Sequence, residues 1–92
     1  MITNLDSIPC RVEGVLGRVV DGEAVLVLPV IGKVKVLNEV GAFIWSNVDG
    51  VNSVRDISEI ICAEYEVDRK EAEEDALSFL IDLEERGVVF FE

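Results

Sequence analysis

Histidine is absent from this sequence, and its 92 residues include only two cysteines, Cys10 and Cys62. Zinc sites are built mainly from Cys and His, so we expect no metal site here. A Ser or Cys nucleophile would also lack its usual imidazole base. The P-loop, GxGxxG and GxSxG motifs of nucleotide-binding proteins and hydrolases are missing as well. We therefore expect no cofactor and no catalytic residues, and we interpret the protein as a non-enzyme.

Carboxylates are the one type of catalytic group that the chain has in quantity, with 19 Asp and Glu against 8 Lys and Arg. An acid–base pair of carboxylates stays formally open, but most of these residues fall on predicted helix surfaces, where we interpret them as solvated. The formal charge is −11 at pH 7. Phosphate groups repel such a surface, so neither nucleic acid nor an anionic membrane is an expected partner.

Long hydrophobic segments are lacking too. The longest apolar run, Ala24 to Ile31, is too short to cross a bilayer. Met1 to Ser7 has neither the basic nor the apolar part of a signal peptide, and we expect a cytoplasmic protein with reduced thiols. Cys62 lies in an apolar helical pattern that indicates a buried small side chain. Cys10 is interpreted as a candidate exposed thiol, with no neighbour to activate it.

Three antiparallel strands are predicted in the first half of the chain. Residues 15–20 lead into Asp21-Gly22, a dipeptide typical of hairpin turns, and Ala24–Leu28 follows as an apolar strand. Pro29–Gly32 predicts the second turn, and residues 33–37 form the third strand of this meander.

Lysines alternate with valines in that third strand. The alternation predicts that Val34 and Val36 face the core while Lys33 and Lys35 face outward. Lysines on an edge strand commonly prevent unwanted strand pairing. The same edge nevertheless offers N–H and C=O groups to a peptide that pairs with it. Both interpretations stay open at this point.

Three helices are predicted in the second half of the chain. Each begins at a capping residue, namely Asn38, Ser53 or Asp68, and the second and third have the acidic partner of a capping box, Asp56 and Glu71. The first helix is expected to end at Asp49-Gly50 and the third at Gly87. Residues 88–91 form a β-like tail that either pairs with the sheet or covers the core.

The order of elements predicts an α+β, winged-helix-like fold, a three-stranded antiparallel sheet followed by a three-helix bundle. We expect one domain over residues 1–92, with residues 1–10 as a flexible N-terminal segment.

The third helix has more apolar residues than one core contact needs. Five of them fall in one arc and predict the core stripe: Ala72, Ala76, Phe79, Leu80 and Leu83. Leu77 and Ile81 form a shoulder outside that arc, among Glu73, Glu74 and Glu84. The shoulder either packs on the tail or on a dimer partner, or it lines an apolar groove rimmed by carboxylates.

Four segments give the sequence a resemblance to a known family: "LNEVGAFIW", "SVRDISEII", "AEYEVD" and "EAEEDALSFLIDLEERGVV". From about Arg11 to Val88 the chain resembles PqqD-type proteins and, more broadly, RiPP recognition elements. In the family pattern a Leu-Asn pair opens the first helix, here Leu37-Asn38, and an aromatic or aliphatic pair closes it, here Ile44-Trp45. An acidic residue, here Asp75, precedes the apolar ridge of the last helix.

The resemblance implies a peptide chaperone. Such a protein binds the leader segment of a ribosomally made precursor peptide and presents it to a modifying enzyme, often a radical S-adenosylmethionine enzyme. The leader would add a strand to the third β-strand and pack against the last helix. The contact residues expected on this basis are Lys33, Val34, Lys35, Val36, Leu37, Glu73, Leu77, Leu80, Ile81 and Glu84. The two lysines would contact acidic residues of the leader.

Two other classes of protein compete with this interpretation. A winged-helix DNA-binding regulator should carry Arg and Lys on its recognition helix. Here the second helix offers only Arg55, and the third opens with Arg69 and Lys70 before a run of acidic residues. The other alternative is a structural subunit whose shoulder serves a homodimer.

Overall fold

The strands and helices follow the predicted order, with one additional short strand near the N-terminus. The strands are β1 (Pro9–Arg11), β2 (Leu16–Val20), β3 (Glu23–Leu28), β4 (Lys33–Leu37) and β5 (Val89–Phe91). The helices are α1 (Glu39–Ser46), α2 (Val54–Tyr65) and α3 (Arg69–Glu85). The predicted α+β fold, a three-stranded antiparallel sheet followed by three helices, is confirmed.

The computed structural model describes residues 4–20, 23–28 and 33–92. The turns predicted at Asp21-Gly22 and Pro29–Gly32 lie outside these residues. For Lys33 and Val34 only the backbone is described, so the directions predicted for their side chains stay predictions.

Strands β2, β3 and β4 form the predicted antiparallel meander, in that order. The register places Gly17 opposite Leu26, and Leu26 opposite Lys35. Residues that face each other across an antiparallel pair lie on the same side of the sheet. The side chain of Leu26 is fully buried, so this row of residues marks the side of the sheet that faces the core.

The predicted orientation of β4 is wrong. Lys35 and Leu37 lie on the core side of the sheet, because Leu37 is 2% exposed and pairs with the buried Ala24. Val36 lies on the outer side and is 55% exposed. Alternation shows only that neighbouring side chains point in opposite directions. Leu37, which shares its side with the lysine, decides which of the two sets faces the core.

Helix α1 begins as predicted but ends about one turn early. The side chain of Asn38 accepts a hydrogen bond from the N–H of Gly41 at 2.8 Å. The helix ends at Ser46 instead of at Asp49-Gly50. Asp49 instead starts a separate turn, in which its Oδ1 atom accepts hydrogen bonds from the N–H groups of Val51 and Asn52.

The caps of α2 and α3 were largely predictable. Ser53 and Asp56 form both hydrogen bonds of the capping box. At α3 the carboxylate of Asp68 accepts from the Lys70 N–H, while the half of the box expected from Glu71 is not seen in the described residues. Gly87 follows α3 with φ +78°, as expected of a residue that ends a helix.

The C-terminal tail pairs with β1 instead of with the meander. Strands β1 and β5 form a separate two-stranded sheet with Cys10 opposite Phe90. Just before β1, the carbonyl groups of Leu5 and Ser7 accept hydrogen bonds from the first N–H groups of α2. The flexibility expected of residues 1–10 stays a prediction, and these hydrogen bonds oppose it at residues 5–10.

Both cysteines are at least partly buried. Cys62 is half-buried and packs against the core. Cys10 was a candidate exposed thiol, but it is only 9% exposed. Burial, together with the negative charge of Glu92, raises the pKa of the Cys10 thiol. No helix in the described part of the chain is long and apolar enough to cross a membrane.

Candidate functional site

One edge of β4 is free to pair with another strand. β4 stands at the end of the sheet and pairs with β3 alone among the described residues. The N–H and C=O groups on its other edge can therefore bond to a further strand. We call this row of backbone groups, from Lys33 to Leu37, the β4 edge.

Phe79 of α3 lies beside the first turn of α1, the helix that follows β4. Its ring packs against Gly41 in the first turn of α1, where a Cβ atom would be 3.1 Å from two ring carbons. Gly41 follows Leu37, the last residue of β4, by only four positions. Asp75 and Asp82 lie within about 60° of Phe79 around the helix, on its side away from the buried core stripe. We call these three residues the Phe79 side of α3.

The opposite flank of α3 faces α2 and the N-terminal segment. The Glu73 carboxylate lies 3.8 Å from Nη1 of Arg55 at the start of α2, and Arg55 also forms an ion pair with Asp6 at 3.3 Å. Leu77, Ile81 and Glu84 lie on the flank that Glu73 marks. We call these four α3 residues the Leu77 side.

The predicted α3 contact residues differ in how far they are buried. Leu80 is fully buried in the core, so a bound peptide cannot contact its side chain without displacing other residues. Leu77 and Ile81 are half-buried, and Glu84 is exposed. The contacts of Glu73 and Phe79 show that the Phe79 side, rather than the Leu77 side, lies next to the start of α1.

A largely apolar cavity of about 290 Å³ lies between α1, the end of α2 and the start of α3. It is lined by Val40, Ile44, Ile61, Tyr65, Val67, Ala72 and Asp75. Val40 is three residues beyond the end of β4, and Asp75 belongs to the Phe79 side. The cavity is therefore close to the start of α1 and to the Phe79 side of α3. It can take an apolar side chain of a molecule bound there.

The charges at this end of the molecule are mixed. Lys35 is half-buried on the core side of β4, whereas the exposed Asp75 lines the cavity. Burial raises the pKa of the Tyr65 hydroxyl, and the nearby Glu39 and Glu64 raise it further. Tyr65 therefore stays protonated and keeps its O–H as a donor. The site can accept an acidic group near Lys35 and a basic or donor group near Asp75.

Contacts around Trp45 hold α1 on the sheet. The guanidinium of Arg11 lies 4.4 Å from the centre of the Trp45 ring and donates a hydrogen bond to the Trp45 carbonyl at 2.7 Å. These contacts join β1 to the end of α1.

Three parts of this candidate site were not predicted from the sequence: Val40, Tyr65 and the position of Phe79 beside Gly41. Phe79 had been assigned entirely to the core, but it is half-buried. Gly41, inside the short helix α1, was the signal in the sequence for the position of Phe79. Glycine in a helix interior lowers stability, so its presence indicates a close contact with another side chain.

The chain is similar to proteins of known structure and to one family. It matches the family described as "Coenzyme PQQ synthesis protein D (PqqD)" over residues 23–89. Among solved structures, it is 32% identical to TbiB1 in complex with the TbiA(beta) leader peptide, with 87% of this chain and 93% of that chain covered and a TM-score of 0.81. No curated protein sequence matches the chain.

Two further solved structures show the same fold at 25% identity. One is a lasso peptide synthetase B1 complexed with the leader peptide, covering 90% of this chain and 98% of that chain with a TM-score of 0.81. The other is the PqqD truncation of Methylobacterium extorquens PqqCD, described as a functional and stand-alone RiPP recognition element. It covers 97% of this chain and 95% of that chain, again with a TM-score of 0.81.

Proposed function

Because the chain belongs to the PqqD family, we propose that it binds the leader segment of a ribosomally synthesised precursor peptide and presents that peptide to a modifying enzyme. Two similar structures, at 32% and 25% identity, are complexes with leader peptides. The chain itself is a recognition element without catalysis. The sequence contains no histidine and no P-loop, GxGxxG or GxSxG motif, which supports this part of the proposal.

The observation that supports the proposal is the free edge of β4, a strand that leads within four residues to Gly41 and its contact with Phe79 of α3. A leader in extended form adds to this edge as a fourth strand and bonds to main-chain groups. Alternate leader side chains then point toward the core side of the sheet. There they meet Lys35, Phe79 and the cavity next to Val40.

The proposed contact residues follow from this arrangement. Within β4 they are the residues predicted from the sequence, Lys33 to Leu37, although Leu37 contributes through its backbone because its side chain is buried. On α3 they are Asp75 and Phe79. Leu80 supports the site from the core. Contacts of the leader with the Leu77 side, which comprises Glu73, Leu77, Ile81 and Glu84, stay a prediction from the sequence. The following experiment tests whether the leader binds at the Leu77 side or at the Phe79 side.

The experiment compares Phe79→Ala with Leu77→Ala, two half-buried apolar residues on one helix. The ligands are peptides selected from a phage-displayed library of random linear sequences, and synthetic peptides from short open reading frames that flank the gene. We expect Phe79→Ala to weaken binding about tenfold, which is near the free energy gained by burying a large apolar side chain. Leu77→Ala should change the affinity by less than about twofold. Thermal melting of both variants separates loss of fold from loss of binding.

Three outcomes decide the matter. If Phe79→Ala weakens peptide binding and Leu77→Ala does not, the result supports strand addition beside the Phe79 side. Selective loss with Leu77→Ala, in a variant that melts like the wild type, would return the groove to the flank predicted from the sequence. No enrichment of any peptide and no binding of the flanking-frame peptides would contradict peptide binding itself.

A further inference from the structure

The outer side of the meander carries several exposed apolar residues, beside the charged Arg18 and Glu23. Leu16, Val27 and Val36 are 65%, 37% and 55% exposed, and Val25 is half-buried between them. The register places Leu16 opposite Val27, and Val25 opposite Val36. An antiparallel sheet that covers a core on one side commonly carries polar residues on the other. We call this surface the outer face. Its exposed apolar residues indicate that another molecule binds there.

Val36 has a special position on the outer face, because it belongs to the free β4 edge. On one side it has Val25 as its cross-strand neighbour. On its other side, no strand of the described residues follows. A strand added to β4 would place one residue directly beside Val36, with the Cβ atoms about 4.5–5.5 Å apart. That residue would point to the outer face, away from α3.

We propose, on the basis of the proposed function, that the leader is recognised on both sides of the sheet and that Val36 selects an apolar, β-branched or aromatic leader residue on the outer face. The neighbouring leader residues, one position before and after, point to the core side near Lys35 and Phe79. The preferred leader segment therefore has apolar residues at adjacent positions, instead of alternating apolar and polar ones. An apolar pair across two strands stabilises the complex, whereas a charged leader residue there would lose solvation.

The leader suits the outer face better than a second copy of this chain does. Each chain carries a formal charge of −11, so two copies repel each other. The exposed part of Val36 is continuous with the edge where the leader adds. Leu16, by contrast, is on β2 at the far side of the sheet, about 15 Å from an added strand.

Peptide selection tests this proposal, with Val36→Lys and Val27→Lys as matched variants. Both place the same cation on the outer face, but Val27 lies one strand further from the leader, about 10 Å away. Selection from the random linear library on the wild type should enrich an apolar residue at one position. Val36→Lys should change that preference to Asp or Glu, and Val27→Lys should leave it unchanged. Affinity of the wild-type peptide should fall at least fivefold with Val36→Lys only.

The alternatives give different results. If Val36→Lys selects the same peptides as the wild type while the β4 amide resonances still shift on binding, the outer-face contact is refuted and strand addition stands. If the β4 amides do not shift, both this inference and the proposed binding mode fail. If sedimentation shows a dimer that Leu16→Lys and Val27→Lys dissociate, the outer face belongs to a second copy, and the proposal is overturned.

Discussion

The indole ring of Trp45 packs directly on the backbone of Gly17, where a Cβ atom would lie 2.8 Å from Nε1. Trp45 is buried, and the Arg11 guanidinium packs over its ring. The ring therefore has little freedom to move away. This contact sets how closely α1 approaches β2.

Gly17→Ala should consequently destabilise the domain. We expect the free energy of unfolding to fall by about 1–3 kcal/mol, the usual cost of forcing an extra methyl group into a packed contact. Urea unfolding measures the change. Arg18→Ala, at the next position and exposed on the opposite side of the sheet, is the control and should cost less than about 0.5 kcal/mol. Equal stability of Gly17→Ala and wild type would show that the Trp45 contact is loose.

Glu66 ends α2 in the left-handed conformation, with φ 53° and ψ 40°. Residues other than glycine adopt this conformation at a cost of about 1–2 kcal/mol. Glu66→Gly should therefore raise the free energy of unfolding by about 1 kcal/mol. The matched control, Glu64→Gly, lies in the last turn of the same helix and should lower it by about 1 kcal/mol. A loss of stability in both variants would contradict the cost assigned to Glu66.

Asp49 should contribute to the pH dependence of stability. The N–H group of Asn52, and next that of Val51, bonds to its carboxylate and lowers its pKa below the ordinary value of 3.8. A lowered folded-state pKa gives stability that is present above pH 3.8 and lost as the pH falls through the folded value. Asp49→Asn keeps the acceptor but does not titrate. Urea unfolding should show it less stable than wild type at neutral pH, with the difference shrinking in acid. A difference that is constant with pH would contradict this.

Duplex DNA should not bind at physiological salt. The formal charge of −11 gives few counterions to release, although the fold is winged-helix-like. The most basic part of a helix in this chain, Arg69-Lys70 at the start of α3, is followed at once by Glu71. Fluorescence anisotropy with labelled random duplexes checks this. Submicromolar binding that weakens steeply with salt would favour the DNA-binding alternative.

Local features of the fold were predictable from the sequence because they depend on neighbouring residues. The capping box of Ser53 and Asp56 needs only the spacing of two residues, and it forms as predicted. The meander was also predictable, from alternation and from turn residues. Strand β1 was not, because its three residues have no pattern of their own and pair with Val89–Phe91, far along the chain.

The site itself was only half predictable, for a similar reason. The sequence indicated that β4 was an edge strand, but not which side of it faced the core. The helical positions of Leu77 and Phe79 follow from the sequence as angles around α3. Which residues contact each side of α3 depends on tertiary packing. Here Gly41 contacts Phe79, and Arg55 forms an ion pair with Glu73.

Hydrogen–deuterium exchange of the β4 amides, with and without a selected peptide, tests the central claim most directly. A leader that adds as a strand must accept hydrogen bonds from the amides on the free edge, and in an antiparallel sheet these belong to alternate residues. We predict that alternate amides between Lys33 and Leu37 become strongly protected when the peptide binds, while those of the distant edge strand β2 do not change. A tightly bound peptide that leaves exchange throughout β4 unaffected would contradict strand addition.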